Sequence, residues 1–274
     1  MCQFCVQHGE GKKWYLQAKN YAEDLAQDLR RREYMAYCLQ NFERLAKTAL
    51  RRLEWMASTP PLVRRWLRSL FVRYAQPRHF GQVVPLEDVA QILDLVNAIV
   101  RLPCVCRRFL GQREERACFA VSLNPHSVFL QEVVSADYWK GPDTTGLERV
   151  DQETALELMR DFERRGWVHT VWTFGTPFIG GLCNCELPYC FALRTVALGA
   201  PIFFPAEYVI HWEAARCRGC GACERVCPFG ALHLDAVQQQ IKVDYSRCYG
   251  CGLCRAVCEP QALRLTPRHS QSAF

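Results

Sequence analysis

"CRGCGACERVCPFGALHL", residues 217–234, returns as "CYGCGLCRAVCEPQALRL", residues 248–265, and both copies carry the spacing C-x2-C-x2-C-x3-C. Three thiols separated by two residues let a tight loop wrap one cube of iron and sulfide, while the fourth, on the following helical turn, points toward a second cube. Eight ligands then make two 4Fe-4S clusters, with Cys217, Cys220, Cys223 and Cys258 on one and Cys248, Cys251, Cys254 and Cys227 on the other. Zinc knuckles present paired C-x2-C units and have no use for this tandem spacing. Gly219, Gly221, Gly250 and Gly252 suit loops that need positive φ and aim backbone N–H groups at sulfur. The intervening HLDAVQQQIKVDY reads as two short strands about a turn.

This repeat closely resembles the bacterial dicluster ferredoxins, and the resemblance implies a compact βαββαβ fold. Pro228 follows its cysteine directly, whereas the second copy reads Cys258-Glu259-Pro260, which puts a charge near one cluster. The repeat offers no nucleophile, acid–base pair or nucleotide loop. Its expected chemistry is one-electron transfer, with burial and N–H to sulfur hydrogen bonds setting the potentials.

The rest of the composition agrees with metal. At 274 residues, half of them hydrophobic, the chain can hold two or three domains with real cores. Its 17 cysteines accompany an N-terminus without the basic and apolar regions of a secretory signal, so a reducing cytoplasm and metal-bound thiols are expected rather than disulfides. The most apolar run, Val196 to Ile210, is interrupted by Pro201 and Pro205, and no membrane span is expected. The formal charge of +6 counts every thiol as neutral. Each four-thiolate cluster adds roughly two negative charges, so the arginines are weak evidence for nucleic acid.

Nine cysteines remain: Cys2, Cys5, Cys38, Cys104, Cys106, Cys118, Cys183, Cys185 and Cys190. PLEDVAQILDLVNAIV has apolar residues at 86, 89, 90, 93, 96 and 100, the period of a buried helix face, and ends at LPCVCRR, where Pro103 favours an extended segment. Residues i and i+2 of an extended chain share a side, so Cys104 and Cys106 can reach one metal, as can Cys183 and Cys185. Between the pairs, Asp151 is an expected N-cap, Ala155, Leu158, Met159 and Phe162 form an apolar stripe, and Gly166 precedes an expected strand from Trp167 to Phe174; ACFAVSL, around Cys118, reads as another strand. The two C-x-C pairs can converge on a third metal centre, with Cys118 and Cys190 as rival or additional ligands. Iron–sulfur is favoured over zinc, because the chain already needs cluster assembly. Ordinary buried thiols are the bland alternative.

The order LPCVCR, a lone cysteine, ERRGWVHTVW, PFIGGLCNC and a ferredoxin tail resembles a broad group of dicluster 4Fe-4S-binding proteins of anaerobic microbes, over roughly residues 86 to 265. Many of that group have more cysteines after C-N-C than this chain, which offers Cys190. The resemblance implies electron transfer within anaerobic redox systems.

The overall expectation is an α+β chain: a helical region at 1–80, a small α+β cysteine-rich domain at 81–205, and the dicluster ferredoxin domain at 206–274. A stripe at Trp14, Ala18, Tyr21, Leu25 and Leu29 reads as helix, serving either as a docking module or as a cap on the core. Cys2, Cys5 and His8 have ligand-like spacing, without an evident fourth ligand unless Cys38 folds back. His169 reads as a hydrogen-bonded core histidine or a partner of a cluster sulfur. The functional expectation is a non-catalytic electron-transfer subunit that meets a redox enzyme or an electron carrier protein. The competing classes are an enzyme with a substrate-binding middle cluster, and an iron–sulfur redox sensor.

Overall fold

The computed structural model describes residues 2–22, 24–25, 28–75, 77–125 and 148–268. The N-terminal part holds helix α1 (Gln3–His8), 3-10 turns at Trp14–Leu16 and Ala18–Tyr21, and helices α2 (Leu29–Gln40), α3 (Phe42–Ala57) and α4 (Pro61–Ala75). The middle part runs β1 (Gly81–Val83), α5 (Leu86–Leu95), β2 (Ala98–Leu102), α6 (Val105–Gly111), β3 (Cys118–Ser122), β4 (Glu148–Arg149), α7 (Gln152–Arg164), β5 (Val168–Thr173), β6 (Ile179–Cys185), α8 (Phe191–Ala197) and β7 (Phe203–Phe204). The C-terminal part is β8 (Tyr208–Trp212), α9 (Ala222–Val226), β9 (Leu232–Asp235), β10 (Gln240–Val243), α10 (Leu253–Ala256) and β11 (Leu263–Pro267). The chain is α+β.

The seven middle strands form one sheet in the order β4-β2-β3-β6-β5-β1-β7, antiparallel except for the β1/β7 pair. Asp151 caps α7 by accepting the Thr154 N–H at 2.7 Å, and Gly166, at φ 79°, turns the chain into β5. Helices α5 and α7 then bury Val89, Ile92, Leu93, Ala155, Met159 and Phe162 against Phe119, Val171 and Leu182 of the sheet. On the opposite face lie Cys118, Thr170 and Cys183, aligned across β3, β6 and β5.

Two expectations are corrected. The helical period at 86–100 outlasts the helix, which ends at Leu95; Ala98 to Leu102 instead pair with Ser122 to Cys118 of β3, where β-branched Ile99 and Val100 fit the pleat. The stripe from Trp14 to Leu29 is also not one helix. Gln17 is extended between the two 3-10 turns, which bury Trp14, Tyr15 and Tyr21, and the Phe4 ring stacks on Phe80 at 4.0 Å. Residues 4–21 therefore complete the core under the sheet.

The C-terminal part has the expected βαββαβ order, with β8 paired antiparallel to β11 and β9 to β10. It packs on the rest of the chain: Tyr249 meets Phe203 of β7 at 5.4 Å, and Arg255 pairs with Glu87 of α5.

Candidate metal centres

The two cysteine loops end at α9 and α10, whose N-caps Gly221 and Gly252 are left-handed. Gly219 and Gly250, at φ 64° and 67°, press their loops onto neighbouring backbone; a Cβ would meet the Gln239 carbonyl oxygen at 2.5 Å and the Tyr208 carbonyl oxygen at 2.2 Å. In this way each loop is seated by a strand pair. Cys217 and Cys258 lie within electrostatic reach of Cys223, and Cys227 within reach of Cys248, Cys251 and Cys254. The fourth thiol of each copy thus lies beside the loop of the other. Cys220 is exposed.

Backbone donors surround these sulfurs. The Ala231 N–H reaches Cys227 Sγ at 3.4 Å, and the Ala262 N–H reaches Cys258 Sγ at 3.3 Å. Burial pushes the Cys223 thiol up to about 11 and Cys251 up to about 12, and raises Cys248 and Cys254. A bound cation is what would hold such desolvated sulfurs as thiolates. Cys227, Cys248, Cys251 and Cys254 line one cavity, closed on its other sides by Ile210, Leu253 and Leu265 among others. Donor chemistry, N–H groups and an apolar cavity all fit an iron–sulfur cube.

Residues 216–262 match the family of the 4Fe-4S dicluster domain. No curated protein and no solved structure matches the chain. The chain therefore carries an iron–sulfur dicluster domain of the ferredoxin type near its C-terminus.

Upstream of the dicluster domain, six further cysteines converge. Cys104 contacts Cys106 and Cys118, Cys106 contacts Cys190, Cys190 contacts Cys185, and Cys118 contacts Cys183. Cys183 in turn lies beside Cys185, two residues along β6, so the six thiols close a ring. Cys104, Cys118, Cys185 and Cys190 are buried, and Cys106 and Cys183 are half-buried.

The first pair reaches this ring by a different route from that expected. LPCVCRR is not extended: Pro103 ends β2, Cys104 is the N-cap of α6, and Cys106 lies in that helix's first turn. A proline just before an N-cap removes no helical hydrogen bond, so it does not bar a helix beginning beyond it. Cys190 is likewise the N-cap of α8. Hydrogen bonds from Cys106 and Cys118, the Arg107 charge and the Arg107 N–H hold Cys104 well below the usual thiol range. Cys190 is held low by Cys106, Cys185 and the Leu193 N–H. Their donors Cys106, Cys118 and Cys185 are pushed up. Two helix starts therefore contribute to the ring the thiols that its other members favour in the charged form.

Arg107, 1% exposed, is the group that the sequence reading missed. Its guanidinium donates to the Asn184 carbonyl at 3.1 Å, pairs with Glu115 and Glu186 at 3.3 Å each, and stacks 3.8 Å from the Trp167 ring. It places a positive charge beside Cys104 and Cys118. The available signal was the arginine directly after C-x-C, read only as part of a resemblance.

His169 lies on the other face of the sheet from Cys183, in register with Asn184. The Asn184 amide donates to the Ala117 carbonyl at 2.8 Å, which turns its oxygen to His169; Nδ1–H donates to it at 2.6 Å. Burial lowers the His169 pKa to about 4. Thr170, on the cysteine face, receives the Trp172 indole N–H at 2.8 Å and lies 3.6 Å from Cys185 Sγ.

A single apolar cluster links the ring to the dicluster domain. It contains Cys185 and Cys190 at one end and Cys251 at the other, with Cys227 packed against it. Between them Trp172 meets Phe203 at 6.4 Å, Phe203 meets Tyr249 at 5.4 Å, and Tyr249 stacks on Phe229 at 4.1 Å.

Of the other cysteines, Cys38 is half-buried on α2 beside Tyr34 and does not fold back to the N-terminus. His8 packs its ring 6.1 Å from Phe4, while Cys2 and Cys5 gather with Glu207. Among the described residues, no helix is long and apolar enough to cross a membrane.

Proposed function

We propose that this protein is an electron-transfer subunit in which a third iron–sulfur centre, held within the ring of Cys104, Cys106, Cys118, Cys183, Cys185 and Cys190, exchanges electrons with the dicluster domain. Iron–sulfur clusters supply one-electron redox chemistry. Within the dicluster domain we assign Cys217, Cys220, Cys223 and Cys258 to one 4Fe-4S cluster and Cys248, Cys251, Cys254 and Cys227 to the other, in keeping with the proximity of each fourth thiol to the opposite loop.

The observation that carries the reading is the apolar cluster shared by Cys185, Cys190 and Cys251. It gives the ring and the Cys248–Cys254 loop, the more buried of the two, a shared apolar core. The loop with exposed Cys220 contributes no residue to this apolar cluster and is open to a small carrier. The path in this proposal therefore runs from ring to buried loop to exposed loop.

A second feature supports a docked partner. Helix α4 buries none of its residues, and it exposes Leu62, Trp66, Leu70 and Tyr74 among Arg64, Arg65, Arg68 and Arg73. A continuous apolar patch of this kind on a soluble protein marks an interaction surface. Arg68 lies near enough to Tyr249 to act on it electrostatically, so a partner seated on α4 sits beside the buried loop.

The test is iron, acid-labile sulfide and zinc per chain on anaerobically purified protein, with EPR of the reduced sample. Three clusters require about twelve irons with matching sulfide, and Cys106→Ser with Cys185→Ser should leave about eight. About eight irons in the wild type would confine redox chemistry to the dicluster domain and reduce the ring to a zinc site or to buried thiols.

A further inference from the structure

Cys2 and Cys5 form a second gathering of metal-binding groups, distinct from the six-thiol ring and from the dicluster domain. Their sulfurs lie 3.4 Å apart at the start of α1, and the Glu207 carboxylate, from the segment between β7 and β8, lies within 4.8 Å of both. Two sulfurs bound to one tetrahedral zinc at ~2.3 Å sit about 3.8 Å apart. The pair is therefore already close to that spacing.

The surroundings fix the carboxylate and leave its charge open. Cys2 N–H donates to both Glu207 oxygens, at 3.2 and 3.3 Å. Gln82, fully buried, donates from Nε2 to Glu207 Oε1 at 3.3 Å and to the Pro205 carbonyl at 3.0 Å, while the Trp14 indole N–H donates to its Oε1 and so sets the amide orientation. Glu207 is 6% exposed and Cys5 0%, yet among the described residues no lysine or arginine forms an ion pair with Glu207. Lys13, a nearby cation, is taken by Asp88 and Tyr208, and Arg268, whose charge reaches Glu207, spends its guanidinium donors on the Ala206, Tyr208 and Cys248 carbonyls. A buried carboxylate beside two thiols and without a paired cation is costly unless a cation joins it.

We propose that Cys2, Cys5 and Glu207 bind one zinc ion, with a fourth position that no described side chain fills. Two thiolates disfavour calcium and magnesium, and a carboxylate disfavours copper(I); a tetrahedral ion of borderline softness suits this set. Bound there, the ion fastens α1 to the residue that precedes β8. Tyr208, the next residue, carries the carbonyl against which Gly250 packs, so the clip also braces the Cys248–Cys254 loop.

The experiment is elemental analysis of full-length protein purified anaerobically, comparing the wild type with Cys2→Ser, Glu207→Gln and, as a separate control, Cys185→Ser. The expected result is one zinc per wild-type chain, retained in Cys185→Ser and lost in Cys2→Ser with iron unchanged. Glu207→Gln, nearly isosteric, should hold zinc roughly tenfold or more weakly in competition with a chromophoric chelator. Cobalt-grown wild-type protein should show thiolate-to-cobalt charge-transfer absorption, which needs no variant to fold. Zinc that leaves with Cys185→Ser but stays in Cys2→Ser overturns the proposal, as does a Cys2–Cys5 disulfide in metal-free wild type. Iron in place of zinc at these residues overturns the choice of ion. If the ring itself held zinc, the wild type would carry one more and Cys185→Ser would lose that one, while Cys2→Ser would still lose the zinc proposed here, so the two readings fail separately.

Discussion

Arg107 shows how one residue can be decisive and nearly invisible in sequence. Its charge is balanced by Glu115 and Glu186 and spread over Trp167, groups that lie 8, 79 and 60 positions away in the chain and are joined only by the fold. Replacing it by methionine leaves Glu186 and the Cys104 sulfur without their cation, and Glu115 with Arg165 alone. The expected loss is about 3 kcal/mol, seen as a lower denaturation midpoint under anaerobic conditions, and Arg107→Lys should recover only part of it because lysine lacks the fork. His169 supplies a pH signature. Its folded pKa, about 4, lies below the ordinary 6.5, so between those values the unfolded chain binds the proton and the folded chain does not. The stability from keeping His169 neutral is complete above about pH 6.5 and is lost as pH falls toward 4, on the order of 3 kcal/mol in all. His79, lowered the same way, adds to the slope. Denaturation of wild type and His169→Gln across this window should show a shallower slope in the variant; equal slopes would remove His169 from the account.

Among elements, the cysteine loops of the dicluster domain were legible because ligand spacing, glycine placement and helix start are all local. Gly250 makes the point testable. Gly250→Ala must meet the Tyr208 carbonyl at 2.2 Å while holding a positive φ, whereas Gly199→Ala, at φ 75°, meets nothing within 4 Å. Gly199→Ala should cost about 1 kcal/mol and keep its iron, while Gly250→Ala should lose about four irons per chain; elemental analysis of both decides. The C-x-C pairs were harder to read. Pattern alone put both pairs on extended chain, which is right for Cys183 and Cys185 on β6 and wrong for Cys104 and Cys106 on α6. The pairs converge in both cases, because a helix that starts on one thiol also brings the second to the same end. Glu207 could not be found from spacing at all, since Cys2 and Glu207 are 205 residues apart.

At the scale of the whole molecule, the N-terminal region divides its work. Residues 4–21 close the core beneath the sheet, and α3 packs on α6 and α8, the helices that present Cys104, Cys106 and Cys190. Helix α4 faces outward with a run of apolar residues, Trp66 at 62% exposure and Leu62 at 83%, whereas α2 and α3 expose theirs at scattered positions such as Leu29 and Trp55. The inward side of α4 is anchored by Leu67 and Phe71 on Leu53 and Met56 of α3, so the outward side is available without unfolding anything. The sequence led only to a helical region at 1–80 and could not say which face of α4 was spare, because that depends on how much of it the neighbouring helix covers. If α4 receives the redox partner, Trp66→Glu with Leu70→Glu should leave iron content and melting temperature near wild type, since neither side chain is buried. The same change should weaken recovery of the partner from native anaerobic extract by tenfold or more, about 1.4 kcal/mol. Charge reversal at Arg65 and Arg68 should act mainly on the association rate and make it less sensitive to salt, as expected of cations that steer an acidic surface. Recovery of the same partner at undiminished yield by the double variant would move the docking face away from α4 and toward the exposed loop of Cys220.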